Sequence, residues 1–430
     1  MRNIKSRLII MNFLQFAVWG SYLTSMGGYL FSAGYGELIG WFYAMQGVVS
    51  MFMPAIMGII ADKLIPAQRL LGLCHGIAAL FIAGAGYCGL NDMLWPMFIL
   101  YSISVAFYMP TLALSNSVAY TVLEQGGYDT VKAFPPIRVF GTVGFIVAML
   151  VCDFAGFQAS PVQFFQCAVI GIILAIYAQM LPNCPVNRNQ ENKSFAQRLG
   201  LDAFKLFKSK QMALFFIFSM LLGVSLQITN GFANSFITSF KNIPEFANTF
   251  GANHANALIS LSQVSETLCI LLIPFCLKRF GIKRVMLIAM FAWVLRFGLF
   301  GLGNPGSGLW MFILSMIVYG VAFDFFNISG SLYVNENTSG DMRSSAQGLF
   351  MIMTNGIGAT VGTLGAQAVV NHFVPATESL EGVVVNGISV VEGWSTTWLV
   401  FAGYALVVAL LFMVLFRYKH DPNKQMNINH

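Results

Sequence analysis

The chain has 430 residues, of which 57% are hydrophobic and only 9% charged, with a mean hydropathy of +0.72. Soluble domains carry about a quarter of their residues as charges, so this composition excludes an ordinary soluble enzyme or nucleic-acid-binding protein and indicates a polytopic membrane protein. The net charge of +6 needs no acidic partner, because the placement of the Lys and Arg residues follows membrane topology.

A helical span needs about 20 mostly apolar residues, and about twelve such segments can be read along the chain. They lie at 8–31, 38–61, 70–90, 94–121, 136–157, 162–181, 211–239, 255–277, 284–303, 308–334, 344–371 and 395–417. Arg2, Lys5 and Arg7 lead into the first without a small-residue cleavage site, which predicts a retained span with a cytoplasmic N-terminus. Of the 23 Lys and Arg residues, only Lys241 falls in a connection that alternation makes external, while Arg138 and Arg296 lie within spans. That one-sidedness predicts an even number of spans and two cytoplasmic termini.

Residues 182–210 are polar and basic, and divide the chain into a six-helix bundle at 1–181 and a second at 211–430 that ends in a cytoplasmic tail. Repetition supports the division. Val105-Ala106-Phe107 of span 4 recurs as Val321-Ala322-Phe323 of span 10, and the MPAIMGIIADK end of span 2 parallels the IPFCLKRFGIKR end of span 8. Two parallel bundles with a site between them near the midplane are the expected architecture.

Polar residues inside these spans are the functional candidates, because a charge at bilayer depth costs at least about 2.5–3.5 kcal/mol. In span 1, Asn12, Gln15, Trp19 and Thr24 are candidates for lining a cavity, as are Pro110, Thr111, Asn116 and Tyr120 in span 4. Span 5 begins FPPIRVFGTVGF, where Pro135 and Pro136 suit a helix start. Arg138, Thr142 and Phe145 then share a face, although an alignment of Arg138 with Arg343 leaves open a role marking a helix end. Gln227 and Asn230 stand three apart in span 7, near Gly223 and Gly231, which leave room for close packing or unwinding.

Span 8 places Gln263 and Glu266 near its centre, and neutralisation of Glu266 by Arg296 is one reading of that acid. Span 10 reads VYGVAFDFFNISGSLYVN and puts Tyr319, Phe323, Asp324 and Asn327 on one broad helical face, an aromatic surface beside a titratable acid and an amide. Glu266 and Asp324 both qualify as proton carriers, whereas a patch that merely joins helices is the plainer reading of each polar cluster. Gly356, Gly358, Gly362 and Gly365 of span 11 read as close packing. The seven Cys residues are odd in number and mostly within spans, and His75, His254 and His372 lack metal-ligand spacing. The chain requires no cofactor, and no catalytic constellation, nucleophile elbow or phosphate loop is visible.

The twin bundles, together with Gly58-Ile-Ile-Ala-Asp62-Lys63 and Arg69, resemble the major facilitator superfamily. The set FLQFAVWGSYLT, FMPAIMGIIADK, FPPIRVFGTVGFI, FFIFSMLLGVSLQITN, SQVSETL and MIVYGVAFDFFNISGS resembles the nucleoside:proton symporter family through nearly the whole chain. It departs mainly in the linker, the 372–393 external loop and the tail. The resemblance implies nucleoside uptake across a bacterial inner membrane, driven by protons, in a monomer embedded in lipid with no nucleic-acid partner. It also implies that Arg138, Thr142 and Phe145 form the N-terminal side of the substrate site. Gln227, Asn230, Gln263, Glu266, Tyr319, Phe323, Asp324 and Asn327 would form the C-terminal side, with Asp324 or Glu266 carrying the coupling proton.

Overall fold

The computed structural model describes residues 4–186, 201–338, 340–374 and 388–418. Most of the linker and the centre of the 372–393 loop lie outside these residues, as do the tail beyond 418 and the side chain of Asp62. The described residues contain helices and turns and no strand. In hydrocarbon every backbone polar group needs an internal partner, and helices supply one within each segment.

Nine described helices are long and apolar enough to cross a membrane, or ten when the pair Gly36–Ser50 and Met53–Ala61, bent by 41°, is one span. Two further apolar segments are divided into shorter helices. Helix α1 (Ile4–Gly20) reaches α2 (Met26–Ser32) through a turn. Likewise Ala255–Ile270 passes through Leu271 and Leu272 into Ile273–Leu302. With these, the structure accounts for each apolar segment read from the sequence.

The chain forms two compact units, one from Met1–Met26 with Val48–Arg198 and the other from Gly27–Gly47 with Leu199–Ile428. Helix α3 (Ile39–Ser50) leads into the first unit, where α1 is followed by α4 (Met53–Lys63), α5 (Ala67–Leu90), α6 (Leu94–Gln125), α7 (Thr130–Phe154) and α8 (Val162–Gln179). These helices enclose an apolar core that includes Leu8, Met11, Leu71 and Val118, each almost fully buried. Helices α1 and α7 cross closely: a Cβ on Gly144 would strike the Phe13 backbone, and one on Gly20 would strike that of Phe145.

The second unit holds α9 (Lys210–Leu226), α10 (Ile228–Ser239), α11 (Ala255–Ile270), α12 (Ile273–Leu302) and α13 (Leu309–Asn337). After these come α14 (Gly340–Met351), a π-helical turn at Ile352–Gly358, α15 (Ala359–Phe373) and α16 (Ile388–Leu415). Its core is aromatic. Phe236 meets Phe300, Phe312, Trp394 and Trp398 with ring centroids 5.5–6.0 Å apart. Gly281, at φ 76°, is the point inside α12 where one span turns into the next, a conformation that favours glycine. Pro54 and Pro274 each occupy the first turn of the helix that follows a break, a position that needs no amide donor.

Two expectations change. Helix α7 starts at Thr130, so Pro135 and Pro136 lie inside it rather than at its start, and each leaves one carbonyl of the opening turn without its helical amide donor. Asn12, Gln15 and Thr24 line no open cavity but are packed away, at 0%, 0% and 2% exposure. The glycines of span 11 do serve packing at Gly358 and Gly362, which abut the backbone of α9.

Candidate functional site

In the first unit the candidates ride on α7. Arg138 stands two turns into that helix, half-buried, with its guanidinium carbon 3.8 Å from the centroid of Phe16. It also acts electrostatically on Tyr108 and Tyr120. Arg343, by contrast, is exposed in the opening turn of α14, so the alignment of the two arginines does not carry over to their surroundings. A guanidinium on an aromatic face keeps its charge while giving up part of its hydration, a contact of about 0.5–2 kcal/mol. Thr142 is half-buried one turn on, and Phe145 is buried with its ring edge-on to Trp19 at 6.2 Å and 89°.

The second unit gathers its candidates around α13. Tyr319 and Phe323 are one turn apart and stack at 5.6 Å with an interplanar angle of 15°. Asp324 follows, only 6% exposed, and Asn327 is half-buried a turn later. Helix α11 brings Gln263 and Glu266, both half-buried, against α13. The approach depends on Gly320, where a Cβ would come 2.5 Å from the Ser265 carbonyl oxygen and 2.8 Å from the Cys269 sulfur. The Ser265 hydroxyl donates to the Ile317 carbonyl at the same crossing.

Tyr319 is the hub of the charges. It feels Glu266, Arg296 and Asp324 together, presents its ring face to Arg296 at 4.6 Å and meets Trp293 in a T-shaped contact at 6.0 Å and 89°. Arg296 is 1% exposed. Its Nη1 donates to the Ser315 carbonyl at 2.6 Å and approaches the Ser262 hydroxyl at 3.5 Å, while the Phe300 ring centroid lies 5.2 Å from the guanidinium carbon. The arginine is therefore built into the wall behind Tyr319, with a backbone carbonyl and two rings as its neighbours.

Gln227 is the junction residue between α9 and α10, and Asn230 lies in the opening turn of α10. The Asn230 amide donates to the Gln227 side-chain oxygen at 2.9 Å. Each amide has committed one group to the other and retains further donors and acceptors suited to hydroxyls.

Residue spacing does not reveal the polar cluster behind Phe145. His75 Nε2 and Gln15 Oε1 are 2.7 Å apart, Gln15 Nε2 donates to the Thr111 hydroxyl at 2.8 Å, and the Tyr108 hydroxyl donates to the Gln15 carbonyl at 3.0 Å. The available signal is His75 itself, an ionisable side chain within an apolar span. No group of three or more His, Cys, Asp or Glu suited to a metal occurs among the described residues.

A helical chain that crosses the membrane many times and places acids, amides and stacked rings inside its spans is a polytopic carrier of the major facilitator fold. It belongs to the nucleoside H+ symporter family, whose model matches residues 2–421. The chain is 47% identical to the nucleoside permease NupG of Escherichia coli (strain K12) over 433 residues, covering 100% of each. It is also 47% identical to the xanthosine permease of the same organism over 427 residues, covering 98% of each. Among solved structures, that of the nucleoside transporter NupG superposes with a TM-score of 0.87 at 46% identity, covering 97% of this chain and 100% of the other. These relatives are transporters, and this chain is likewise a transporter rather than an enzyme.

Proposed function

We propose that this transporter takes up nucleosides together with protons across a bacterial inner membrane by alternating access, with both termini cytoplasmic. The observation that carries the site assignment is the clustering on one face of α13: a buried carboxylate, Asp324, directly follows the stacked pair Tyr319 and Phe323. A nucleobase is planar and suits such rings, and ribose hydroxyls both donate and accept, as do Gln227, Asn230, Gln263 and Asn327. Glu266 adds a second acceptor. In the first unit, Phe145 offers a further aromatic surface and Arg138 and Thr142 offer donors. The one-sided distribution of Lys and Arg supports the orientation, and residues 182–210 serve as a cytoplasmic linker between transport bundles at 1–181 and 211–430. A single chain supplies every residue invoked, so the working unit is a monomer in lipid.

In this mechanism Asp324 takes up a proton from outside, nucleoside binds, and neutralisation of the carboxylate lets the loaded carrier change its facing. Release of both inside resets it. One proton crossing about 100 mV gains about 2.3 kcal/mol and one pH unit adds about 1.4, enough to concentrate nucleoside about several hundredfold. The test is radiolabelled uridine uptake into proteoliposomes with and without an inward proton gradient, with unlabelled xanthosine and glucose as competitors. Gradient-driven accumulation that xanthosine or excess uridine suppresses and glucose does not is the expected outcome. Equilibration without accumulation would instead define a facilitator, and no uridine flux would overturn the substrate assignment.

A further inference from the structure

His75 is fully buried in the first unit, on α5, and takes no part in the transport cycle above. Its hydrogen bonding has one consistent direction. Because Gln15 gives its amide N–H to Thr111, the Gln15 atom facing the imidazole is an acceptor, and His75 Nε2 must be the donor. Thr111 in turn gives its hydroxyl proton to the Tyr108 carbonyl at 2.5 Å. Among the described residues His75 Nδ1 has no hydrogen-bond partner. A proton there would place a charge with no acceptor among the described residues at a fully buried position, so the arrangement selects the neutral imidazole with hydrogen on Nε2.

The cluster leads to Phe145 through a run of rings. His75 meets Tyr108 edge to face at 5.8 Å and 74°, Tyr108 meets Trp19 at 6.0 Å, and Trp19 meets Phe145 at 6.2 Å and 89°. Gln15 bonds twice along this run, through its side chain to His75 and through its carbonyl to the Tyr108 hydroxyl. We infer that His75 is a positioning residue for nucleoside binding: as a neutral donor to Gln15, it fixes the Tyr108 and Trp19 rings that hold Phe145 in place. This rests on Phe145 belonging to the nucleoside site, as proposed above.

Three variants and one spectrum test it on the full-length protein in proteoliposomes. His75→Leu should raise the KM for uridine about fivefold to tenfold, the scale of one lost buried hydrogen bond, with kcat within about twofold. His75→Gln, whose terminal amide reaches the place of Nε2 and can donate to Gln15, should restore most of the affinity, and the shorter His75→Asn should not. If His75→Leu yields no protein, the Gln and Asn pair makes the same comparison. In 15N-histidine-labelled protein at neutral pH, the signal absent from His75→Gln should be that of a neutral imidazole protonated at Nε2. An imidazolium, the opposite tautomer, or equal KM values for the Gln and Asn variants would overturn the inference. Phe145→Ala separates the two roles: if it weakens uridine binding while His75→Leu does not, the positioning role fails alone. If Phe145→Ala has no effect, Phe145 is not in the site and both fail.

Discussion

The candidate sites of the two units handle buried polarity in different ways. In the first, His75, Gln15, Thr111 and Tyr108 form a directed network, and the cationic candidate, Arg138, rests on the face of Phe16. In the second, two acids, Glu266 and Asp324, share the surroundings of Tyr319 with the enclosed Arg296. A neutral network can hold rings in fixed positions but carries no net proton. A buried carboxylate changes charge when it binds one, and only that change can couple a gradient to movement. In the proposed mechanism, ring positioning thus falls to the first unit and proton coupling to the second.

The largest expected effect tests the coupling side. Asp324→Asn removes the titratable group while keeping the shape, and should abolish gradient-driven uridine accumulation, a drop of more than about 100-fold if one proton supplies the drive. Intact accumulation in this variant would transfer the coupling role elsewhere. Glu266→Gln should raise the KM for uridine about tenfold, the scale of one charge-assisted hydrogen bond, while accumulation at saturating substrate persists. The reverse pattern in the two variants would exchange the roles of the acids.

Packing gives the next test. Gly320→Ala pushes a methyl carbon against the Ser265 carbonyl and the Cys269 sulfur, an overpacking that costs about 1–3 kcal/mol. A lower melting temperature in detergent, with a higher KM from the parting of α11 and α13, is the expected outcome. An unchanged melt would mean that the crossing can relax. The smallest effect belongs to the first unit. Arg138→Lys keeps the charge but loses the planar stack on Phe16, and should raise the KM about threefold. A change in the proton dependence of uptake in this variant would break the division of labour between the units.

The spans are readily legible in the sequence, because a long apolar run with basic residues on one side fits a membrane-crossing helix and little else. Helical periodicity also groups Tyr319, Phe323, Asp324 and Asn327 on a common face without any tertiary information. The same periodicity does not locate the break at Gln227, although Gly223 and Gly231 on either side of it signal room for unwinding. It misplaces Pro135 and Pro136 as well, because a proline near the start of a helix and one a turn further in look alike without the upstream backbone. Phe300 lies one turn along the same helix as Arg296, but the arginine's other neighbours, the Ser315 carbonyl and the Tyr319 ring, are brought to it by the folding of α12 on α13. No local pattern encodes such a long-range contact. His75 is conspicuous in an apolar span, but its spacing speaks only to metal binding, and its true neighbours come from α1 and α6.

The cysteines bear on how such a carrier can be watched at work. All seven are free, six are buried and only Cys276 is half-buried. Outside the spans, the Cys184 backbone N–H donates to the Gln68 side-chain oxygen at 2.9 Å, and burial pushes its thiol up to about 11. At pH 8 only about one molecule in a thousand would carry the reactive thiolate there. The natural chain is therefore close to a silent background for thiol labelling. A single cysteine introduced along α7 or α13, with Cys276 replaced, would report the opening and closing of its own surroundings as a labelling rate, in a protein otherwise left as it is.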